Sequence, residues 1–414
     1  ERESWLVGEM EAEEARRQCL EELWRAVEAP DARRMQDADG VLEGLAAARA
    51  RMEATPGAVY RLPLLPLHWS RDEGTDSGSG AGAEECVHLK LESLQPVGSF
   101  KLRAACNAVL GKVAGTPPAR RLRVVTASAG NMGQGVAWIV RHLNRSGGGR
   151  AVDEVLVVVP SHAPEQKLQP MRRLGARILK VPFVVWWQLI DRPPAAAAEL
   201  EEAEAEAWRS LAALLCDDEW ATAFVHPVCD EAVLLGNGTI GVEIMEDLAN
   251  ASAVIVPYGG GALSCGIAAA VRAATEGKIP VYAVEVCTAA PLTAALEQGK
   301  SVAVPYTPTF VDGMGGSQVI PAMFPVAQAL LTGTVVVTPD DIAQAVKLLA
   351  ERNRVIVEGA GAAATAAVIT GKFRSQVGPD NEHLLRNVVC VCSGGGLEHR
   401  HLAYILEHGT APPV

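Results

Sequence analysis

Between Arg121 and Gly396 short apolar runs repeatedly give way to glycine-containing turns and then to helix-length stretches. "LRVVTAS" leads into "GNMGQGVAWIVRHLN", "EVLVVVP" into "HAPEQKLQPMRRLG", and "SAVIVPYGGG" into "ALSCGIAAAVRAATEG", while "NVVCVC" ends in "SGGG". Such alternation predicts an α/β chain of parallel strands joined by right-handed helical crossovers. Open sheets of that kind place ligand sites at the carboxyl ends of their strands, where the glycines fall. Aromatic residues are only 5% of the chain against 49% hydrophobic, which suits small-residue helices packed on a sheet. A length of 414 residues allows more than one domain.

Residues 1 to 55 are charged and alanine-rich ("EAEEARRQCLEELWRAVEA", "DGVLEGLAAARARMEA") and predict two amphipathic helices of scaffold or subunit contact. Strand-like flanks "GAVYRLPLLPLHWS" and "ECVHLKLESLQ" enclose the glycine and serine run "RDEGTDSGSGAGAE", expected to be a surface excursion. Residues 184–222 contain a double proline and an acidic alanine run, expected as one somewhat extended helix.

A net charge of -12 without a lysine or arginine block gives no electrostatic footprint for nucleic acid, which leaves small molecules as the expected partners. No uncharged apolar stretch is long enough for a membrane span, and no charged-then-apolar leader follows Glu1. Nine cysteines without a C-x-x-C pair are expected to be reduced thiols in a cytosol-like, cytoplasmic compartment, with Cys390 and Cys392 packed in a buried strand.

Four motifs carry candidate chemistry. In "GSFK" Lys101 follows Phe100, an apolar neighbour that can desolvate an amine for Schiff-base chemistry, although a snorkelling surface lysine fits the same residues. In "TASAGNMGQGVA" the turn Ser128, Ala129, Gly130, Asn131, Met132 opens a helix whose N-terminus favours a carboxylate; a plain helix cap reads equally well. In "VPYGGGALSCG" Gly259, Gly260, Gly261, Ala262 and Leu263 stand between a buried strand and a helix, so successive N–H groups can converge on a phosphate. In "VVCVCSGGG" Ser393 ends a strand, where its hydroxyl can meet a heterocycle nitrogen or close a turn.

In that order the motifs resemble the fold type II pyridoxal-phosphate enzymes, and within them the serine/threonine dehydratase and serine racemase branch. The similarity spans about residues 56 to 407 and extends to "GNGTIGVEI", "VYAVEV", "VDGMGG" and "VEGAGAAATAA". It implies two open, twisted, mostly parallel sheets flanked by helices, with the cofactor between a large domain (56–121 and 225–414) and a small one (122–224). It implies that Lys101 carries pyridoxal 5'-phosphate and acts as base at the substrate Cα. Phe100 would pack on the ring, Asn131 would bond its 3'-hydroxyl, Gly259 to Leu263 would hold the phosphate, and Ser393 with Glu358 nearby would face the pyridine nitrogen. Ser128 to Met132 would grip the carboxylate of an amino-acid substrate.

The chain departs from the branch at three places. Ala262 replaces a fourth glycine of the phosphate cup, and Met132 stands where histidine is familiar. Ala129 stands where racemases of the branch carry a proton-donating serine, which favours one-sided α,β-elimination of L-threonine or L-serine to a 2-oxo acid and ammonia. The branch's cation site needs an aspartate six residues after its glutamate; Glu285 is followed there by Pro291, so no metal is expected and Glu285 is read as a strand cap. With few residues after the Ser393 motif, isoleucine feedback through the regulatory C-terminal domain of threonine dehydratases is not expected. A homodimer is expected by resemblance. Racemisation, a hydroxyaspartate or other β-substituted amino-acid lyase activity, and a catalytically weak cofactor-binding relative stay open as alternatives.

Overall fold

The computed structural model describes residues 18–19, 21–23, 27, 29–69, 85–117, 119–147, 150–191 and 201–413. Ten strands occur in it: β1 (Leu64–Pro66), β2 (Cys86–Lys90), β3 (Arg121–Ala127), β4 (Glu154–Pro160), β5 (Arg177–Val181), β6 (Trp220–Val225), β7 (Ala253–Pro257), β8 (Val281–Val286), β9 (Gly333–Val337) and β10 (Asn387–Val391). They are rich in valine and isoleucine, whose branched side chains suit the pleated surface better than a helix.

The strands build two sheets, one in each of two compact units. One unit holds the described residues up to Ala29, Arg51–Ala58 and Lys101–Gly236; the other holds Pro30–Ala50, Val59–Phe100 and residues from Asn237 onward. The first contains a four-stranded sheet of order β5-β4-β3-β6, parallel throughout. Helix Lys101–Gly115 belongs to this unit, because its nearest neighbours are helix Asn131–Ser146 and β6. The division between the two units runs between Phe100 and Lys101 at this point of the chain.

The second unit contains a six-stranded sheet of order β1-β2-β10-β7-β8-β9. Only β1 runs antiparallel to its neighbour. The α/β architecture of two mostly parallel sheets is thus the observed one. β10 lies inside the sheet, with Asn387 to Val391 beside Cys86 to Lys90 on one side and Val388 to Cys390 beside Ala253 to Ile255 on the other. Helix Gly359–Ile369 is buried along almost its whole length, and its run of glycine and alanine allows that depth. Helix Pro339–Leu348 starts on a reciprocal cap, in which Thr338 accepts from Asp341 N at 3.2 Å and Asp341 from Thr338 N at 2.6 Å.

Two expectations are corrected. Cys19 and Cys216, with Cα atoms 6.0 Å apart and 197 residues between them, form a disulfide, so the cysteines are not all free thiols. The pairing is tertiary and leaves no local spacing to read. Residues 184–222 hold two helices, Phe183–Asp191 and Glu202–Leu215, with residues 192–200, including the double proline, outside the described residues. Of the two amphipathic N-terminal helices, one is seen as Ala38–Glu53; residues 1–17, and the glycine and serine excursion at 71–84, lie outside the described residues. Cys390 and Cys392 are fully buried. Among the described residues no helix is long and apolar enough to cross a membrane.

Candidate active site

In the four-stranded unit Lys101 is the first residue of helix Lys101–Gly115. Its Nζ donates to the carbonyl of Pro227 at 3.0 Å. The residue as a whole is half-buried, but desolvation around the amine pulls its pKa down to about 8. A neutral, nucleophilic amine is therefore far more accessible near neutrality than for an ordinary lysine.

The turn after β3 stands beside it on the next helix. Gly130 N donates to Ser128 Oγ at 3.3 Å, Ser128 N bonds Val158 O at 3.1 Å, and helix Asn131–Ser146 starts without a side-chain cap at its N-terminus. Ser128, Ala129, Gly130 and Asn131 are partly exposed, whereas the Met132 side chain is only 2% exposed and turns into the core. Met132 can thus serve a ligand through its backbone, and its thioether is a packing group. Two glycines bring this helix close: a Cβ on Gly135 would lie 3.2 Å from Lys101 O, and one on Gly133 would lie 2.7 Å from Ser128 O. Both the lysine and the turn are therefore held by direct backbone packing on one helix.

The six-stranded unit brings together the remaining candidates in two groups. Gly259 and Gly260 follow β7, and Gly261 has φ of 95°, a left-handed conformation at the N-cap of helix Ala262–Thr275. No side chain caps that helix, so the amides of its first turn face outward from it toward whatever lies at its start. Ala262 and Leu263 have regular helical positions, and the alanine replaces a glycine there without positive φ. The second group joins Phe100, Ser393 and Glu358. Phe100 N donates to Ser393 O at 3.0 Å, Gly395 N to Gly98 O at 2.9 Å, and Glu358 N to Gly394 O at 2.9 Å. Ser393 is buried, and the Glu358 carboxylate covers Gly394 so closely that a Cβ on Gly394 would overlap Glu358 Oε1.

Glu285 is not a strand cap but a helix cap. Its Oε1 accepts from Leu292 N at 2.8 Å, and its Oε2 accepts from Thr293 N and Thr293 Oγ1, both at 2.7 Å. A lone carboxylate here does the work of the first turn of helix Pro291–Gln298. Among the described residues no cluster of three or more histidine, cysteine, aspartate or glutamate side chains could hold a metal ion. The residues missed in the sequence are His226 and Pro227; a proline closing an apolar strand after a histidine was their only local sign.

The family described as pyridoxal-phosphate dependent enzyme matches residues 65–394. The chain belongs to this family. This pyridoxal-phosphate family member is 32% identical over 325 residues to an L-threonine ammonia-lyase of Geobacter sulfurreducens, covering 78% of the chain and 70% of the relative. It is 30% identical over 323 residues to a catabolic L-threonine dehydratase of Staphylococcus aureus, covering 78% and 82%. A solved serine racemase from Dictyostelium discoideum is similar in structure, with a TM-score of 0.66, 27% identity, and coverage of 86% of this chain and 98% of that one.

The donor set fits the cofactor. A desolvated lysine amine suits a carbonyl carbon, and the uncapped helix start at Gly261 suits a phosphate. A buried serine at the end of β10 suits a ring nitrogen that is not forced to protonate.

Proposed function

We propose that the protein is an ammonia-lyase acting on L-threonine, L-serine or both, giving the 2-oxo acid and ammonia. The observation that carries this reading is the Lys101 amine, held on a backbone carbonyl and kept easily deprotonated, in a chain about a third identical to L-threonine ammonia-lyases. Bound pyridoxal 5'-phosphate supplies the electron sink for the pair left when the Cα–H bond breaks.

The chain's own residues then divide the remaining work. Lys101 carries the cofactor and, once displaced by substrate, takes the Cα proton on Nζ. Gly259, Gly260, Gly261, Ala262 and Leu263 hold the phosphate through backbone amides. Phe100 packs on the ring, Asn131 holds its 3'-hydroxyl, and Ser393, with Glu358 behind it, stands at the ring nitrogen. The Ser128 to Met132 turn binds the substrate carboxylate with the start of helix Asn131–Ser146. Ala129 has no proton to return to the opposite face of Cα, so loss of the β-hydroxyl follows instead of racemisation. The protein works on free amino acids rather than nucleic acid, as a homodimer in the cytoplasm.

Incubating the cofactor-loaded protein with L-threonine and L-serine and following 2-oxobutanoate and pyruvate tests the activity. Absence of keto acid from both substrates sinks it. Chiral chromatography of residual serine separates the racemase reading, which predicts D-serine.

A further inference from the structure

Downstream of β6 the chain turns sharply around one buried imidazole. His226 is fully buried. Its Nδ1 accepts two backbone hydrogens, from Val228 N at 3.0 Å and Cys229 N at 2.6 Å. Two N–H donors on one nitrogen require that nitrogen to be unprotonated, so the ring proton sits on Nε2, 3.0 Å from Ile190 O at the end of helix Phe183–Asp191. Burial supports the neutral ring, pulling its pKa down to about 4. Both ring nitrogens are thereby used to hold main chain. The peptide carbonyl enclosed by this turn is that of Pro227, whose ring also restricts φ.

That carbonyl is the acceptor for Lys101 Nζ. Farther along, helix Lys101–Gly115 is fastened to the same stretch twice more, by Asn107 Nδ2 to Ala232 O at 2.8 Å and by Lys112 Nζ to Asp230 Oδ2 at 3.3 Å. The helix would stay docked without the lysine contact. The Lys101–Pro227 contact therefore adds placement of one amine rather than attachment of the helix.

We propose that His226 is a positioning residue for Lys101, a neutral imidazole that fixes the Pro227 carbonyl on which the amine rests whenever it is not covalently engaged. The proposal rests on the reading of Lys101 as the cofactor-bearing lysine. Imidazole is suited to this because its two nitrogens point in opposite directions, one accepting from the turn and one donating to the neighbouring helix. The amine then meets the cofactor carbonyl, and later the substrate Cα, from one orientation instead of many.

The test compares His226→Asn with His226→Leu. Asparagine places a carboxamide oxygen close to the position of Nδ1 and readily accepts from N–H groups two and three residues on; leucine fills space and accepts nothing. Cofactor-free protein is mixed with pyridoxal 5'-phosphate, capture is followed by absorbance, and the product is reduced with borohydride and mapped to its peptide. Expected is capture at Lys101 slowed about tenfold or more in His226→Leu and within about threefold of the parent in His226→Asn. On L-threonine, kcat should fall in the leucine variant while KM stays within about threefold, and asparagine should restore kcat. Equal capture in all three proteins, or equal impairment of both variants, overturns the proposal. Failure of the parent to label Lys101 overturns the underlying reading instead. If His226→Leu does not fold, His226→Gln replaces it, since its carboxamide reaches the Nε2 side of the ring and leaves the turn without an acceptor; asparagine outperforming glutamine supports the proposal, and parity refutes it.

Discussion

Replacing Gly361 by alanine puts a numerical strain on the turn that carries Ser393. A Cβ at Gly361 would lie 2.3 Å from Gly394 O and 3.2 Å from Gly394 N, whereas ordinary contact begins at 3.4 Å. The helix and the turn must separate by about 1.1 Å, taking the difference of those distances. The same Gly394 carbonyl accepts from Glu358 N, and Gly394 also pairs with Ser99, so the shift is resisted on both sides. Forcing a methyl into such packing costs about 1–3 kcal/mol, and weakening one backbone hydrogen bond adds about 1. Alanine returns about 1 kcal/mol through its better helix propensity. The net expectation is a destabilisation of about 1–3 kcal/mol, read as a lower urea midpoint at unchanged slope. Because Phe100 hangs on Ser393 O, retention of bound pyridoxal 5'-phosphate after gel filtration should fall as well. Gly115→Ala is the control: nothing lies within 4 Å of its Cβ, and it should gain about 0.4–1 kcal/mol. A Gly361→Ala protein that matches the parent in midpoint and in cofactor retention refutes the reasoning.

Lys101→Ala should lower L-threonine turnover by at least about a thousandfold and remove the borohydride-stable label from its peptide, checked by mass mapping. His226 makes the fold acid-sensitive: its folded pKa of about 4 lies below the ordinary 6.5, so the stability is fully present above 6.5 and lost as pH falls through 4, a change of about 3 kcal/mol. Urea midpoints between pH 7 and 4.5 should therefore drop more steeply in the parent than in His226→Asn, and parallel curves would count against it. Glu285→Gln leaves one of the amides of Leu292 and Thr293 without an acceptor and should cost about 1–3 kcal/mol, visible as a lower melting temperature.

The architecture was legible because buried parallel strands are short, apolar and followed by the residues their turns require. "SAVIVPYGGG" shows both at once: β7 is buried throughout, and Gly261 occupies a conformation other side chains avoid. The Ser128 turn and the Ser393 turn were legible for the same reason, since each ends a strand with small residues. What the sequence hid is set by tertiary neighbours. His226 looks like any strand-end histidine until two amides and a carbonyl converge on it. Cys19 and Cys216 have no common motif, and Met132, placed in a ligand turn by its sequence position, is drawn inward by the packing of its helix. Glu285 carried its signal six residues away, in a proline that opens a helix needing a cap.

The place of β10 has a consequence for synthesis. It is the last described strand of the chain, yet it separates β2 from β7. While the ribosome is still making residues before Asn387, β2 and β7 each present an unpaired edge, and Phe100 lacks the carbonyl it will bond. The nascent chain must carry the β2 edge across some 300 residues of translation, from Cys86 to Asn387, and the β7 edge across some 130, from Ala253 to Asn387, before the sheet can close. Truncation ahead of Asn387 should accordingly yield an aggregating polypeptide rather than a smaller enzyme, and chaperone demand should be concentrated in this late interval.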